Sequence, residues 1–411
     1  MLDTKALIHV YSPTESSFAG NGYAIFEPIS AEVYQERNGE YSVSFEAYPD
    51  DYGKWKYIKR QAFVKVPIMY HGELKWQVFR ITYVSRAMQS DGTYRINANG
   101  VHLFYENSRF LINSAHPTRL SGAQALPYIT SHSIYNTESY PFTCSSNITS
   151  QTTAYYDNVS ITAALLGEDQ CFVNRWGGNL YRDNYYFSIN GTMENSQDVG
   201  VISYAYNMTD IDFEEDDSEI ITDLIALDNF GNKYHARVAD ADMTVPKRIY
   251  QSVTFQYEVE DVDAFHSDAE AYLDEYKQSA VNITVNFLNL SDLDKYAQFL
   301  SLDAYEVGDR VVVYHKDLGI YYANLEIISK RYDIVHKKTT EIQIGRFKNA
   351  INRSSFMSNT VTTGNSVIDK QNTAISSEID TLVIAVCKTW GGASAYTWQK
   401  LKSFKWGDVK I

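Results

Sequence analysis

Positive charge is in short supply in this chain of 411 residues: 36 Lys and Arg stand against 51 Asp and Glu, a net charge of −15 at pH 7. That balance argues against a nucleic-acid binder, because an acidic surface repels phosphate. Cysteine is scarcer still. Cys144, Cys171 and Cys387 are odd in number, widely spaced and without a Cys-x-x-Cys pair. They read as reduced thiols of a chain made in cytoplasm, not as a disulfide framework. No apolar run approaches the ~20 residues that cross a bilayer. The longest is Leu382–Cys387, and the opening MLDTKALIHV carries Asp3 and Lys5 where a secretion signal needs an apolar stretch. Catalytic signatures are missing too. The nine histidines are scattered, with no HExxH, and there is no GxSxG, no GxxxxGK[ST] and no GxGxxG after a strand. His102 and Glu106 make an i,i+4 pair, and a carboxylate pair assembled by folding stays open. No cofactor or metal is expected.

Apolar and aromatic surface is what the chain has. Apolar residues are 44%, with 33 Tyr and 19 Phe beside 8 Pro, a composition unlike disorder and suited to strands and contacts. The length allows two to four domains. The expected class is mainly β (α+β). Over residues 1–105 a small β-barrel is expected: Tyr41, Val43 and Phe45 alternate with polar neighbours, and Asn38-Gly39 and Asp91-Gly92 are hairpin signals. Residues 106–170 read as an inserted α/β subdomain, with short helices in SGAQALPYITSHS and NVSITAALLGED. Residues 171–260 return to β, with Gly177-Gly178 as the turn of a hairpin. Within them, residues 210–219 hold seven carboxylates and no glycine, which predicts a solvated acidic loop rather than a calcium loop. Residues 261–355 predict a second β-barrel with helices. A helix at Val262–Ser279 places Phe265, Ala269, Tyr272 and Tyr276 at 3–4 spacing. A short helix, Leu290–Leu300, and three strands ending in TTEIQIG follow, with a turn at Asp317-Leu318-Gly319.

The segment 356–411 differs. After a Ser/Thr/Asn-rich linker, Ile368, Ile375, Ile379, Leu382 and Val386 step by 7, 4, 3 and 4, and Asn372 fills the remaining seam position. This is about two and a half heptads: either a seam that pins a trimer formed elsewhere, or an amphipathic helix lying on its own chain. Trp390, Trp398 and Trp406 then recur every eight residues in a stretch with five Lys and one Asp from residue 388 on. They read as a repeated contact unit for a partner, or as a degenerate tail without one.

Taken in order, Asn38-Gly39-x-Tyr41, PDDYGKW (Pro49–Trp55), Gln77-x-Phe79-Arg80-Ile81, Ala98, His102 and Tyr105, then GGNLYRDNYYFSI…DVGVISYAYNM and residues 308–345, resemble a known family. It is the bacteriophage tail minor structural protein, tail-associated lysin or baseplate-hub family, in its N-terminal hub region. The resemblance covers roughly residues 1–350. It implies two small β-barrel domains per chain, three chains in a pseudo-sixfold ring, and a tail tube closed at its tip through which DNA passes without specific binding. It also implies as partners the homotrimer, the distal tail protein ring, the tape-measure protein, receptor-binding proteins and the host cell wall. The expected location is the virion tail tip, after synthesis in the bacterial host cytoplasm. Longer members append a peptidoglycan-degrading domain. Only the seam and the Trp octads follow the hub region here, so no enzyme is expected. Two alternatives stand beside the hub: a tail-tip peptidoglycan hydrolase, and a glycan-binding receptor protein built on the many aromatic side chains.

Overall fold

The computed structural model describes residues 7–90, 92–133, 140–167, 170–203, 210–255, 260, 262–286 and 305–345. The chain divides into two units, Met1–Arg353 and Ser354–Ile411, and everything below belongs to the first. The expected C-terminal helix and the short helix Leu290–Leu300 lie outside the described residues.

Period-two alternation builds the first module. Its strands are β1 (Ile8–Tyr11), β2 (Ala24–Phe26), β3 (Ser30–Glu36), β4 (Tyr41–Ala47), β5 (Phe63–Tyr70), β6 (Glu73–Met88) and β7 (Tyr94–His102), antiparallel in the order β3-β4-β7-β6-β5-β1-β2. Tyr41, Val43, Phe45 and Ala47 point inward from β4 and pack with Val10, Val64, Phe79, Ile81, Ile96 and Ala98. Turn chemistry fixes the register. Asn38 has φ 51 between β3 and β4, and His71 and Gly72 have φ 46 and 80 between β5 and β6. Two successive positive φ values match the twist of the strands they join.

The inserted α/β part follows a 3-10 turn at Leu103–Arg109. It comprises β8 (Leu111–Ala115), β9 (Leu120–Ser121), α1 (Gly122–Ser131), β10 (Thr143–Ser145), β11 (Gln151–Thr152), β12 (Tyr156–Ser160), α2 (Ile161–Leu166) and α3 (Phe172–Trp176). Ser121 and Gln124 make a capping box for α1, and the Ala163 N–H donates to Ser160 Oγ at 3.2 Å to start α2. α3 stands where extended chain is expected, because Phe172 and Trp176, four apart, stack on one buried face at 5.0 Å. The next hairpin, β13 (Asn179–Asp183) with β14 (Tyr186–Asn190), turns at Asn184 (φ 52) and not at Gly177-Gly178. Those glycines end α3. At Gly178 (φ +104) a Cβ would lie 2.8 Å from Ile148 Cδ1 and 3.0 Å from the Asn190 carbonyl oxygen. Bare backbone is therefore required there.

The remaining elements are β15 (Asp198–Ser203), β16 (Asp210–Asp216), β17 (Asp223–Asp228), β18 (Lys233–Arg237), β19 (Tyr250–Phe255), α4 (Val262–Tyr276), β20 (Ala280–Asn286), β21 (Arg310–His315), β22 (Ile320–Asp333) and β23 (Lys338–Gly345). β16, β20, β23 and β22 are neighbours in that order, β21 pairs with β22, and β15 pairs in parallel with β21. Ile202, Ile283, Val313, Leu325, Ile327 and Ile344 are central to this second core. The acidic run is not a loop. It is β16, whose Ile211 and Phe213 pack against the second core while Asp210, Asp212, Glu214 and Glu215 face solvent. Helix α4 buries Phe265, Ala269, Tyr272 and Tyr276 as its spacing predicts. It does so over the small sheet β18-β17-β19, making a third core with Leu224, Ala226 and Phe255.

One strand joins the first and second cores. β22 pairs with β3 from Ser329↔Glu36 to Asp333↔Glu32, producing a single 13-stranded sheet. Its Leu325 and Ile327 belong to the second core, while Tyr332 and the following Ile334 belong to the first. Register shifts between Ile327 and Ser329 and between Arg331 and Tyr332 re-aim the side chains along the way.

Candidate functional site

The sequence-predicted seam, Ile368, Asn372, Ile375, Ile379, Leu382 and Val386, and the partner-contact residues Trp390, Trp398 and Trp406 lie outside the described residues. The family-like motifs do not. They converge on a buried polar junction between the first module, the β13–β14 hairpin and β22.

Its centre is Arg182, 3% exposed. Its guanidinium donates to the Gly39 carbonyl oxygen at 2.6 Å, the Glu36 carbonyl oxygen at 2.7 Å and Tyr105 Oη at 2.8 Å, and lies 5.0 Å from the Tyr41 ring. Asn38 clasps the same hairpin: its Nδ2 donates to the Gly178 carbonyl oxygen at 2.9 Å, and its Oδ1 accepts from the Leu180 N–H at 2.6 Å. Arg37 bridges Asn179 Oδ1, at 2.5 Å, and Glu326 of β22. On the other side Asn184 mimics a strand, accepting from the Val78 N–H at 2.9 Å and donating to the Trp76 carbonyl oxygen at 2.9 Å. Gln77 Nε2 donates to Asp183 Oδ1 at 3.0 Å. His102, fully buried, does not meet Glu106. Its Nδ1 accepts from the Phe104 N–H at 3.2 Å, which makes Nε2 the protonated nitrogen that donates to Gln77 Oε1 at 2.9 Å. Burial and the nearby Arg182 charge hold this imidazole well below its ordinary pKa. Glu106 instead forks onto Arg80.

A second polar cluster ties the β5–β6 turn to the second module. Lys330 Nζ donates to Glu306 Oε1 at 2.6 Å, both side chains being buried, and the His71 N–H donates to the same oxygen at 3.2 Å. Asp309, also buried, accepts from the Gln197 and Glu306 N–H groups at 2.8 Å each, with His71 Nδ1 3.6 Å away. Burial pushes the Glu306 carboxyl up, while Lys330 opposes the shift; burial likewise raises Asp309 against its backbone donors. Arg182 and Asn184 stand in the family-like GGNLYRDNYYFSI motif, whereas sequence reading gave no site role to Arg37, His71, Glu306, Asp309 or Lys330. For Arg182 and Lys330 the available signal was a charged side chain at an inward position of an otherwise apolar strand, while the others stand in turns.

These arrangements tie one segment of the chain to another. A Ser–His–Asp grouping lies at the surface, where Ser114 Oγ and Asp157 Oδ1 are both 3.2 Å from His116 Nε2. A relay needs the two ring nitrogens to be used separately. Burial pushes the Cys144 thiol up, away from thiolate chemistry. Among the described residues no group of three or more His, Cys, Asp or Glu is placed to hold a metal, and no helix is long and apolar enough to cross a membrane.

With the fold and junction in view, residues 196–355 match the family described as prophage endopeptidase tail. That match spans 160 of the 411 residues. In fold, this chain is similar to prophage tail protein gp18 from Listeria monocytogenes EGD-e (TM-score 0.57, 16% identity, covering 87% of this chain and 99% of that one). It is similar also to the tail protein from Neisseria meningitidis MC58 (TM-score 0.58, 12% identity, 83% and 97% covered). A third is the 43 kDa tail protein of prophage MuSo2 from Shewanella oneidensis (TM-score 0.55, 10% identity, 84% and 99% covered). No curated protein sequence matches.

Proposed function

We propose that this chain is a structural hub of a phage or prophage tail tip: a homotrimeric ring that closes the tail tube and lets DNA pass at host entry. The observation that carries the reading is β22, one strand shared by two β-modules, locked by the Arg182 and Lys330 clusters. A ring under mechanical load needs modules that cannot rotate against each other, and a continuous sheet with buried charge-assisted bonds supplies that stiffness. The two modules are the two hub domains. Residues 106–170 are the insertion between them, and the segment Ile368–Val386 is the threefold seam. Trp390, Trp398 and Trp406 contact the tape-measure protein, another tail component such as the distal tail ring, or the cell surface. Light scattering of the purified chain, joined to negative-stain images viewed down the ring axis, tests this. A threefold ring is expected; a strict monomer at micromolar concentration, absent from the tips of tail particles, overturns it.

One observation favours a second reading, a tail-tip peptidoglycan hydrolase: the matched family is described by the word endopeptidase. Zymography on host cell walls separates the two, with no clearing expected from a hub alone.

A further inference from the structure

Clusters of opposite charge lie at the two ends of the strand path of the 13-stranded sheet: on β16 itself at one end, and in a turn beside β2 at the other. At the β16 end, Asp210, Asp212, Glu214, Glu215, Asp216, Asp217 and Glu219 are all exposed. Beside β2 lies the turn of residues 48–60, where Lys54, Lys56, Lys59 and Arg60 are exposed among Tyr48, Tyr52 and Tyr57. Tyr52 is 89% exposed, and Tyr57 meets Tyr23, just before β2, at 5.2 Å. The turn is pre-organised. Asp50 accepts the N–H groups of Tyr52 and Trp55 at 2.9 Å and of Lys54 at 3.2 Å, so its charge serves the turn and Asp51 is the only exposed carboxylate within it. Arg86 braces it from β6, its guanidinium 5.3 Å from the Trp55 ring and its Nη2 donating to the Ile58 carbonyl oxygen at 3.1 Å.

We infer that copies of this chain associate head to tail, the basic aromatic turn 48–60 of one copy seating on the acidic strand β16 of the next. The occupant is a second copy because the chain is acidic overall and carries its densest run of carboxylates at the end of the sheet opposite the turn. Acidic β16 edges repel each other, which rules out pairing of like ends. A head-to-tail contact closes into a ring when its rotation allows. Tyr and Lys/Arg on a rigid turn suit such an interface at low ordering cost. The inference rests on the ring proposed above and names its contact.

The test uses the full chain with three sets of substitutions: Lys54→Glu/Lys56→Glu/Lys59→Glu, Asp212→Lys/Glu214→Lys/Glu215→Lys, and all six together. Circular dichroism confirms folding, and light scattering across a concentration series reads assembly. Each triple set is expected to weaken association by ~100-fold, because it sets like charges against each other across the contact, and all six substitutions together are expected to restore it. Wild-type rings with both triple variants equally assembled overturn this inference alone. A wild-type monomer overturns the ring and this contact together. A wild-type dimer or open chain that responds to these substitutions keeps the contact and overturns the threefold reading. A labelled 30-nucleotide single strand, bound by wild type and lost only on turn reversal with assembly unchanged, assigns the turn to nucleic acid and overturns the inference.

Discussion

Arg182 illustrates what a buried guanidinium demands. Three of its acceptors are backbone or phenolic oxygens of the first module, Glu36, Gly39 and Tyr105, which lie 146, 143 and 77 residues away in the chain. Truncating it strands those oxygens without water, so Arg182→Met is expected to lose ~3 kcal/mol of stability. Arg182→Lys is expected to recover little, because an ammonium cannot span the fork. Differential scanning fluorimetry reads both, and an unchanged transition in the Met variant removes Arg182 from its central place. Lys330 makes a sharper case. Lys330→Met leaves Glu306 and Asp309 buried without their cation, at a cost of about 3–5 kcal/mol at pH 7. Burial already raises the Glu306 carboxyl, so the folded state binds that proton more tightly than the unfolded state does. Acid therefore favours the fold of this variant. Its deficit against wild type should shrink between pH 7 and pH 5, and a deficit that widens there rejects the account.

At the level of elements, legibility followed periodicity. β4 and α4 announce themselves at periods of 2 and 3.6, and the buried residues of each are those the spacing selects. In β16 charge masks a period-two pattern of only two apolar residues, Ile211 and Phe213, so the segment resembles a loop. Gly177-Gly178 was read as a hairpin turn because diglycine also ends helices, and nothing local tells the two uses apart. Short α3 depends on tertiary burial of Phe172 and Trp176, which a five-residue window does not display. The turn that delivers Glu306 and Asp309 offers a test of backbone geometry. Gly308 has φ +93, and a Cβ there would sit 2.5 Å from Met193 Cβ, whereas Gly319 has φ +68 with nothing within 4 Å. Gly319→Ala is expected to cost ~1 kcal/mol from strain alone, and Gly308→Ala clearly more, since Met193 must also move. Equal losses in thermal unfolding refute the close approach.

For the whole molecule, the separate cores centred on β4, β22 and α4 predict uneven stability. Phe265→Ala should cost about 3–5 kcal/mol locally. In hydrogen exchange, α4 and β17–β19 should lose protection while β4, β6 and β7 keep theirs; uniform loss would mean the cores unfold as one. The partnership of modules was beyond local reading, because the residues that join them are far apart in the chain; their order along a family-like pattern was the only clue. That separation also bears on biosynthesis. Glu32 and Arg331, partners across β3 and β22, are 299 residues apart. At about 5–20 residues per second, the ribosome needs roughly 15–60 s between making one and the other. Throughout that interval β3 has an open edge and the first module lacks Tyr332 and Ile334. A nascent chain stalled before residue 320 should thus be a target for chaperones and proteases, and an excised N-terminal fragment will be soluble only if it carries β22 with it.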